Sequence, residues 1–166
     1  MTPAQLQKIK DDMAADPVFS TMPHTGDNAF FIAAEYNKQA VPDFWGWRNT
    51  LSEQEVYEAT SHAGSKWNWA TYKAQTVQDR DSWARMFNPG SVNPALQQTR
   101  DGWLAIFGGQ GASQQQVNFL LALSQFLTTR GEKLLATGAG TIVSAADLGF
   151  YGLYQPTDIE QAWALV

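Results

Sequence analysis

The chain contains no cysteine. That excludes disulfides, Cys-ligated zinc and thiol catalysis. Histidine is nearly absent, with only His24 and His62, and these lack the spacing of a metal-ligand pair. Charge is scarce too: 11 Lys and Arg against 16 Asp and Glu in 166 residues, a formal net charge of −5. The basic residues are spread too thinly to track a phosphate backbone, so sequence-specific nucleic-acid binding is not expected. Long hydrophobic runs are missing as well. The most apolar stretch, Val117 to Leu127, is interrupted by Asn118, Ser124 and Gln125, and it falls short of the roughly 20 residues that span a bilayer. No membrane insertion is expected. The opening MTPAQLQKIKDDMAADP is charged throughout and lacks the apolar core of a signal peptide. A protein made in the cytosol and kept there, or released by lysis, is the expectation.

What the chain does have is apolar bulk. Hydrophobic residues make up 44% and aromatic ones 13%, including seven Trp. Disordered chains are highly charged and poor in aromatics, so this composition is that of a folded protein. Its length suits one domain. The large side chains must be buried in a core or against a partner.

Helical signals dominate. Thr2-Pro3 is a helix cap with proline in the first turn, followed by Leu6, Ile9 and Met13 on one face. Asp16-Pro17 ends that helix, and a loop runs from Val18 to Thr25. Asp27 or Asn28 caps a second helix through Tyr36, which stops before Pro42. An aromatic connector, Asp43 to Arg48, precedes the capping box formed by Ser52 and Glu55 and a short helix to about Thr60. Trp67 to Tyr72 reads as helix rather than strand, and Val77 to Phe87 as a clearer helix ended by Asn88-Pro89-Gly90. Asn93-Pro94 starts another, with Leu96, Trp103, Leu104 and Phe107 on one face.

After the turn at Gly108-Gly109-Gln110-Gly111, Ser113 is expected to cap the longest helix, running to about Ala136 with Gly131 as a weak point. Its apolar residues wrap most of the circumference, which predicts a central helix with Leu120 and Leu127 almost fully buried. From Gly138 the chain becomes rich in glycine and aromatics, and reads as extended or hairpin-like until Thr157-Asp158 caps a last short helix through Trp163. The expected fold is therefore mainly α: one helical domain, 1–137, around a central buried helix. A Gly- and aromatic-rich C-terminal arm, 138–166, open to forming a small hairpin, packs on that domain or on a partner subunit.

Chemistry is thinly signalled. The glycines at 108, 109 and 111 follow a helix rather than a strand, and no Lys-Ser/Thr pair follows them, so they read as a turn and not a phosphate loop. Ser61, His62 and Glu58 spell out a Ser–His–acid set, but nothing resembles a nucleophile elbow. Glu35 with Asp27 or Asp43 supplies the carboxylate pair of a muramidase-like hydrolase; with 16 acids such pairs arise by chance, and hydrolases of an anionic polymer tend to be basic. No catalytic, cofactor-binding or metal-binding residue is assigned, and no enzymatic activity is expected. Trp45, Trp47, Trp67 and Trp69 suit sugar stacking, partner contact or core packing, with core packing the plainest reading. Trp45 and Trp47, with Phe150, Tyr151, Tyr154 and Trp163 of the arm, form the candidate partner interface.

The blocks MTPAQLQKIKDDMAADPVF and GDNAFFIAAEYNKQAVPDFWGWR resemble the opening of small proteins encoded in the structural gene modules of tailed bacteriophages. WNWATYKAQTVQDRDSWARMF and TRGEKLLATGAGTIVSAADLGFYG are similar to later blocks of the same family, so the likeness covers nearly the whole chain. It carries no catalytic residues. It implies a virion component made in the host cytoplasm, at the head–tail neck or in the tail, with other phage structural proteins as partners and self-association into a homo-oligomer. A cell-wall hydrolase, a sugar-binding accessory module and a non-virion factor acting on the host are the alternatives.

Overall fold

The computed structural model describes residues 1–165. In chain order the elements are α1 (Pro3–Ala15), α2 (Gly26–Tyr36), β1 (Trp45–Trp47), β2 (Leu51–Ser52), α3 (Glu53–Glu58), α4 (Trp69–Lys73), α5 (Val77–Phe87), β3 (Ser91–Val92), α6 (Gln97–Phe107), α7 (Ala112–Leu123), β4 (Gln125–Leu127), α8 (Arg130–Leu135) and α9 (Pro156–Trp163). The fold is mainly α, as the composition and periodicity predict.

Cap chemistry sets most helix starts. Thr2 and Gln5 form a reciprocal capping box before Pro3, and Ser52 and Glu55 form the one expected at α3. At α2 the cap is Thr25, whose hydroxyl accepts from Asn28 N, and not Asp27 or Asn28. Asp27 instead lies in the first turn, where a carboxylate favours the positive end of the helix dipole. Helix α6 begins at Gln97, one residue past Leu96. Trp103 and Phe107 are buried, but Leu96 and Leu104 are exposed, so only two of the four residues expected on one face reach the core.

The long central helix does not exist as one element. Helix α7 starts after Gly111 and stops at Leu123. Ser124 is fully buried and turns its hydroxyl back to the Leu120 carbonyl at 2.6 Å, while its backbone N–H is shared between Leu120 and Leu121. Such local bonding by serine competes with helix continuation. β4 follows, and α8 then opens with its own capping box: Glu132 N donates to Thr129 Oγ1 and Thr129 N to Glu132 Oε2. Leu120 is fully buried as predicted, but Leu127 is exposed because it belongs to β4.

The chain divides into two compact units, one holding Met1–Gly46 with the residues from Leu127 onward, the other Trp47–Phe126. The boundaries fall within β1 and at the end of β4.

In the first unit, α9 packs on α1 and α2. The core joins Leu6, Ile9 and Met13 of α1 and Ala29, Ile32, Ala33 and Tyr36 of α2 to Phe19, Leu135, Tyr154, Ile159 and Ala162. Gly131 shows why the α8 turn carries glycine. A Cβ there would lie 2.1 Å from the Tyr154 ring, whose hydroxyl donates to the Gly131 carbonyl at 2.8 Å. The weak point in helix propensity is the seat of a ring.

In the second unit, β2 and β3 pair antiparallel, Leu51 opposite Val92 and Ser52 opposite Ser91. The core gathers Leu51, Val56, Trp67, Trp83, Phe87, Trp103, Phe107, Val117, Phe119 and Leu120 from α3 to α7 and the strands between.

Candidate functional site

The predicted interface residues are either buried or half-buried, and none is exposed. Trp47, in the second unit, is buried, with the Arg100 guanidinium 4.4 Å from its ring centroid. Arg100 is itself buried and donates to the Pro94 and Ala95 carbonyls and to Gln97 Oε1. In the first unit Tyr154 is buried, and its backbone pairs with the Asn37 side chain in both directions: Tyr154 N donates to Asn37 Oδ1 at 2.8 Å, and Asn37 Nδ2 to Tyr154 O at 2.9 Å. Trp45, Phe150, Tyr151 and Trp163 are half-buried. Phe150 meets Tyr154 edge-on, and Trp163 stacks on His24 with ring centroids 4.5 Å apart. Much of the arm's aromatic area is thus covered by its own unit.

What the arm does expose is aliphatic. Thr137 and Asp147 exchange backbone hydrogen bonds at 2.8 and 2.9 Å, and Thr141 and Ser144 exchange two more at 3.0 Å. Between the second pair stand Ile142 and Val143, exposed by 62% and 90%. Tight turns favour Gly, Asn, Asp and Ser, so a two-residue apolar tip owes nothing to turn chemistry. No aromatic marks it, so residue type alone does not single it out in the sequence.

The carboxylates of the hydrolase reading are not brought together as expected. Glu35, on α2, lines an open cleft of about 700 Å³ in the first unit with Asp12, Asp16, Lys38, Gln39 and Arg130, and is ion-paired to Lys38. Neither Asp27 nor Asp43 is among the described residues lining it; Asp43 accepts from Gln39 Nε2. The cleft's strong charge contact is Arg130, bridging Asp12 at 3.1 Å and Asp16 at 2.9 Å, with Tyr36 donating to Asp12 at 2.8 Å. Burial, and then the bond to Asp12, push the Tyr36 hydroxyl far above its ordinary value. Burial alone would raise Asp16, but the Arg130 guanidinium and the N–H groups of Phe19 and Val18 outweigh it and hold that carboxyl below its ordinary value. These groups lock the α1–α2–α8 corner. Ser61, His62 and Glu58 likewise form no relay: His62 Nδ1 contacts the Thr60 carbonyl, and Glu58 accepts from Gln54.

A second groove, of about 630 Å³, lies in the second unit between the 61–70 segment and the start of α7, lined by Ser61, Ser65, Lys66, Trp67, Asn68, Trp69, Ala70, Ala112, Gln115 and Gln116 among others. Trp67 is at the centre of a ring cluster, within 4.9 to 6.0 Å of Tyr57, Trp69, Tyr72, Trp83 and Phe107. Trp69 is half-exposed. Two of the candidate tryptophans thus reach a cavity wall. Gln116 has no counterpart among the sequence expectations, because no spacing links it to residue 68.

Among the described residues no group of three or more His, Cys, Asp or Glu is placed to hold a metal ion, and no helix is long and apolar enough to cross a membrane. No family model matches the chain, and neither a curated protein nor a solved structure matches it.

Proposed function

We propose that the chain is a structural component of a tailed-phage virion, at the head–tail neck or in the tail, made in the host cytoplasm and acting through protein–protein contacts with other phage structural proteins and with copies of itself. The sequence blocks that resemble phage structural-module proteins motivate the reading. The observation that carries it is the Ile142–Val143 tip, two aliphatic residues held out by a doubly bonded loop that their own unit leaves uncovered. Exposed apolar groups on a rigid support are what a subunit contact buries, and repetition of one heterologous contact closes a ring.

The test uses purified particles of the phage that encodes the chain. Mass spectrometry should find the protein in the virion at a fixed ratio to the other structural proteins. Ile142→Ser with Val143→Ser should leave unfolding unchanged within about 0.5 kcal/mol, as for other surface changes, yet remove the protein from particles. Abundance in infected cells with none in the virion would discard the proposal in favour of a factor acting on the host.

A further inference from the structure

We infer that the groove beside Trp69 is a saccharide site, selective for a sugar bearing an acetamido group. Four observations converge on it. Gln116 is almost fully buried, at 1% exposure, and lines the groove. Its Oε1 accepts from the Asn68 backbone N–H at 2.9 Å, which fixes the orientation of the amide and leaves Nε2 as a donor. That donor has no hydrogen-bond partner, and neither does Nε1 of Trp67, which lines the same groove. Buried donors without acceptors are uncommon and costly, and here two of them belong to side chains of one cavity wall. What is missing at this wall is an acceptor.

The rest of the lining says which acceptor. Trp69 is 48% exposed and is held by ring contacts to Tyr57 at 4.7 Å, Trp67 at 5.6 Å and Tyr72 at 5.8 Å, so it offers a fixed aromatic platform to the apolar face of a pyranose. Ser61, Ser65, Asn68 and Gln115 surround it with hydroxyl and amide groups, and no carboxylate is among the described lining residues. Ala70 and Ala112 add small apolar walls that suit a methyl group. An acetamido substituent combines a carbonyl acceptor for the two donors with a methyl for the alanines. A plain hexose offers hydroxyl and ring oxygens as acceptors but no methyl for the alanines, and a peptide has no pyranose face for Trp69. The groove's size falls within the roughly 300–1,000 Å³ of small-ligand sites. At its lip His62 and Ser65 exchange backbone bonds at 2.7 and 3.0 Å across a turn in which Ala63 takes a positive φ of 50°, a conformation L side chains rarely adopt.

This inference does not depend on the virion reading. Its test is calorimetric titration of the full chain with chitotriose, with cellotriose and N-acetyl-alanine methylamide as comparisons and tryptophan fluorescence followed in parallel. Chitotriose should bind and shift the emission, cellotriose should bind at least about tenfold more weakly, and the amide should not bind. Trp69→Ala changes a half-exposed residue and should abolish binding. Gln116→Glu retains the acceptor for Asn68 N–H but removes the donors, and should weaken chitotriose at least about tenfold. Where that variant fails to fold, Trp69→Ala and the ligand series decide alone. Absence of chitotriose binding, equal affinity for cellotriose or the amide, or binding unchanged in Trp69→Ala would overturn the assignment.

Discussion

The two units solve the same problem with different materials. The first is built from stretches far apart in sequence and is joined by polar contacts at long range: Asn37 with the Tyr154 backbone, Arg130 with Asp12 and Asp16, Gln5 Nε2 with the Gly149 carbonyl at 2.6 Å, and Lys10 Nζ with the Leu165 carbonyl at 2.5 Å. The second is one continuous stretch centred on rings, with Trp83 fully buried against Trp67, Phe87 and Phe107. Directional bonds specify one register and lose it when a single atom is changed. Ring clusters tolerate small shifts but depend on volume. The unit that relies on rings is also the one that leaves donors unpartnered beside a cavity.

The contrast breaks most visibly at Trp83. Trp83→Ala empties the centre of the second unit and removes the indole N–H bond to Glu53 at 2.9 Å. It should cost about 3–5 kcal/mol, read by urea unfolding, with amide-exchange protection lost across residues 47–126. Equal loss of protection in the first unit would show that the two share one stability. Asn37→Ala is the matching cut in the first unit. It leaves the Tyr154 N–H and carbonyl without their side-chain partner, and should cost about 1–3 kcal/mol with protection lost first in α9.

Acid gives the smallest effect and sharpens the comparison. Asp16 in the first unit and Glu55 in the second both have lowered folded pKa values. For Glu55 the Ser52 backbone N–H is the leading cause, followed by burial acting against it and then Arg48. A lowered folded value means that the stabilisation is present above the unfolded pKa and is lost as pH falls through the folded one. Stability should therefore decline below about pH 4.5, modestly, because these pairs are partly exposed and screened. Asp16→Asn should flatten the acid dependence of exchange in α1 and α8, and Glu55→Gln that in α3. A variant that flattens both would contradict the division.

Most helices are legible because their caps are spelled out in the sequence, as at Thr2-Pro3 and at Ser52 with Glu55, and because breakers such as Asn88-Pro89-Gly90 are strong. The break at Ser124 is hidden for a physical reason. The apolar run continues through Gln125–Leu127 because those residues form a strand, and periodicity cannot distinguish a buried helix from a helix followed by an apolar strand. The signal that divides them is Thr129 with Glu132, the same kind of box that marks the start of α3 at Ser52. The arm's aromatics pack largely within their own unit, since Tyr154 needs the gap left by Gly131 and the amide of Asn37, neither of which announces its partner in the sequence. At the groove, Trp67 and Trp69 stand out by residue type, whereas Gln116 acts only through a fold that brings α7 to the 61–70 segment.

The interleaved construction of the first unit also sets an order of events during synthesis. The chain for 47–126 has all its own partners before α8 and α9 are made, so the second unit can close while translation continues. Helices α1 and α2, with Leu6, Ile9 and Ile32 on their inner faces, have no α9 to cover them until residues 156–163 emerge from the ribosome. At elongation rates of about 5–20 residues per second that delay is on the order of ten seconds. Throughout it the apolar inner faces of α1 and α2 lack the helix that covers them in the folded unit.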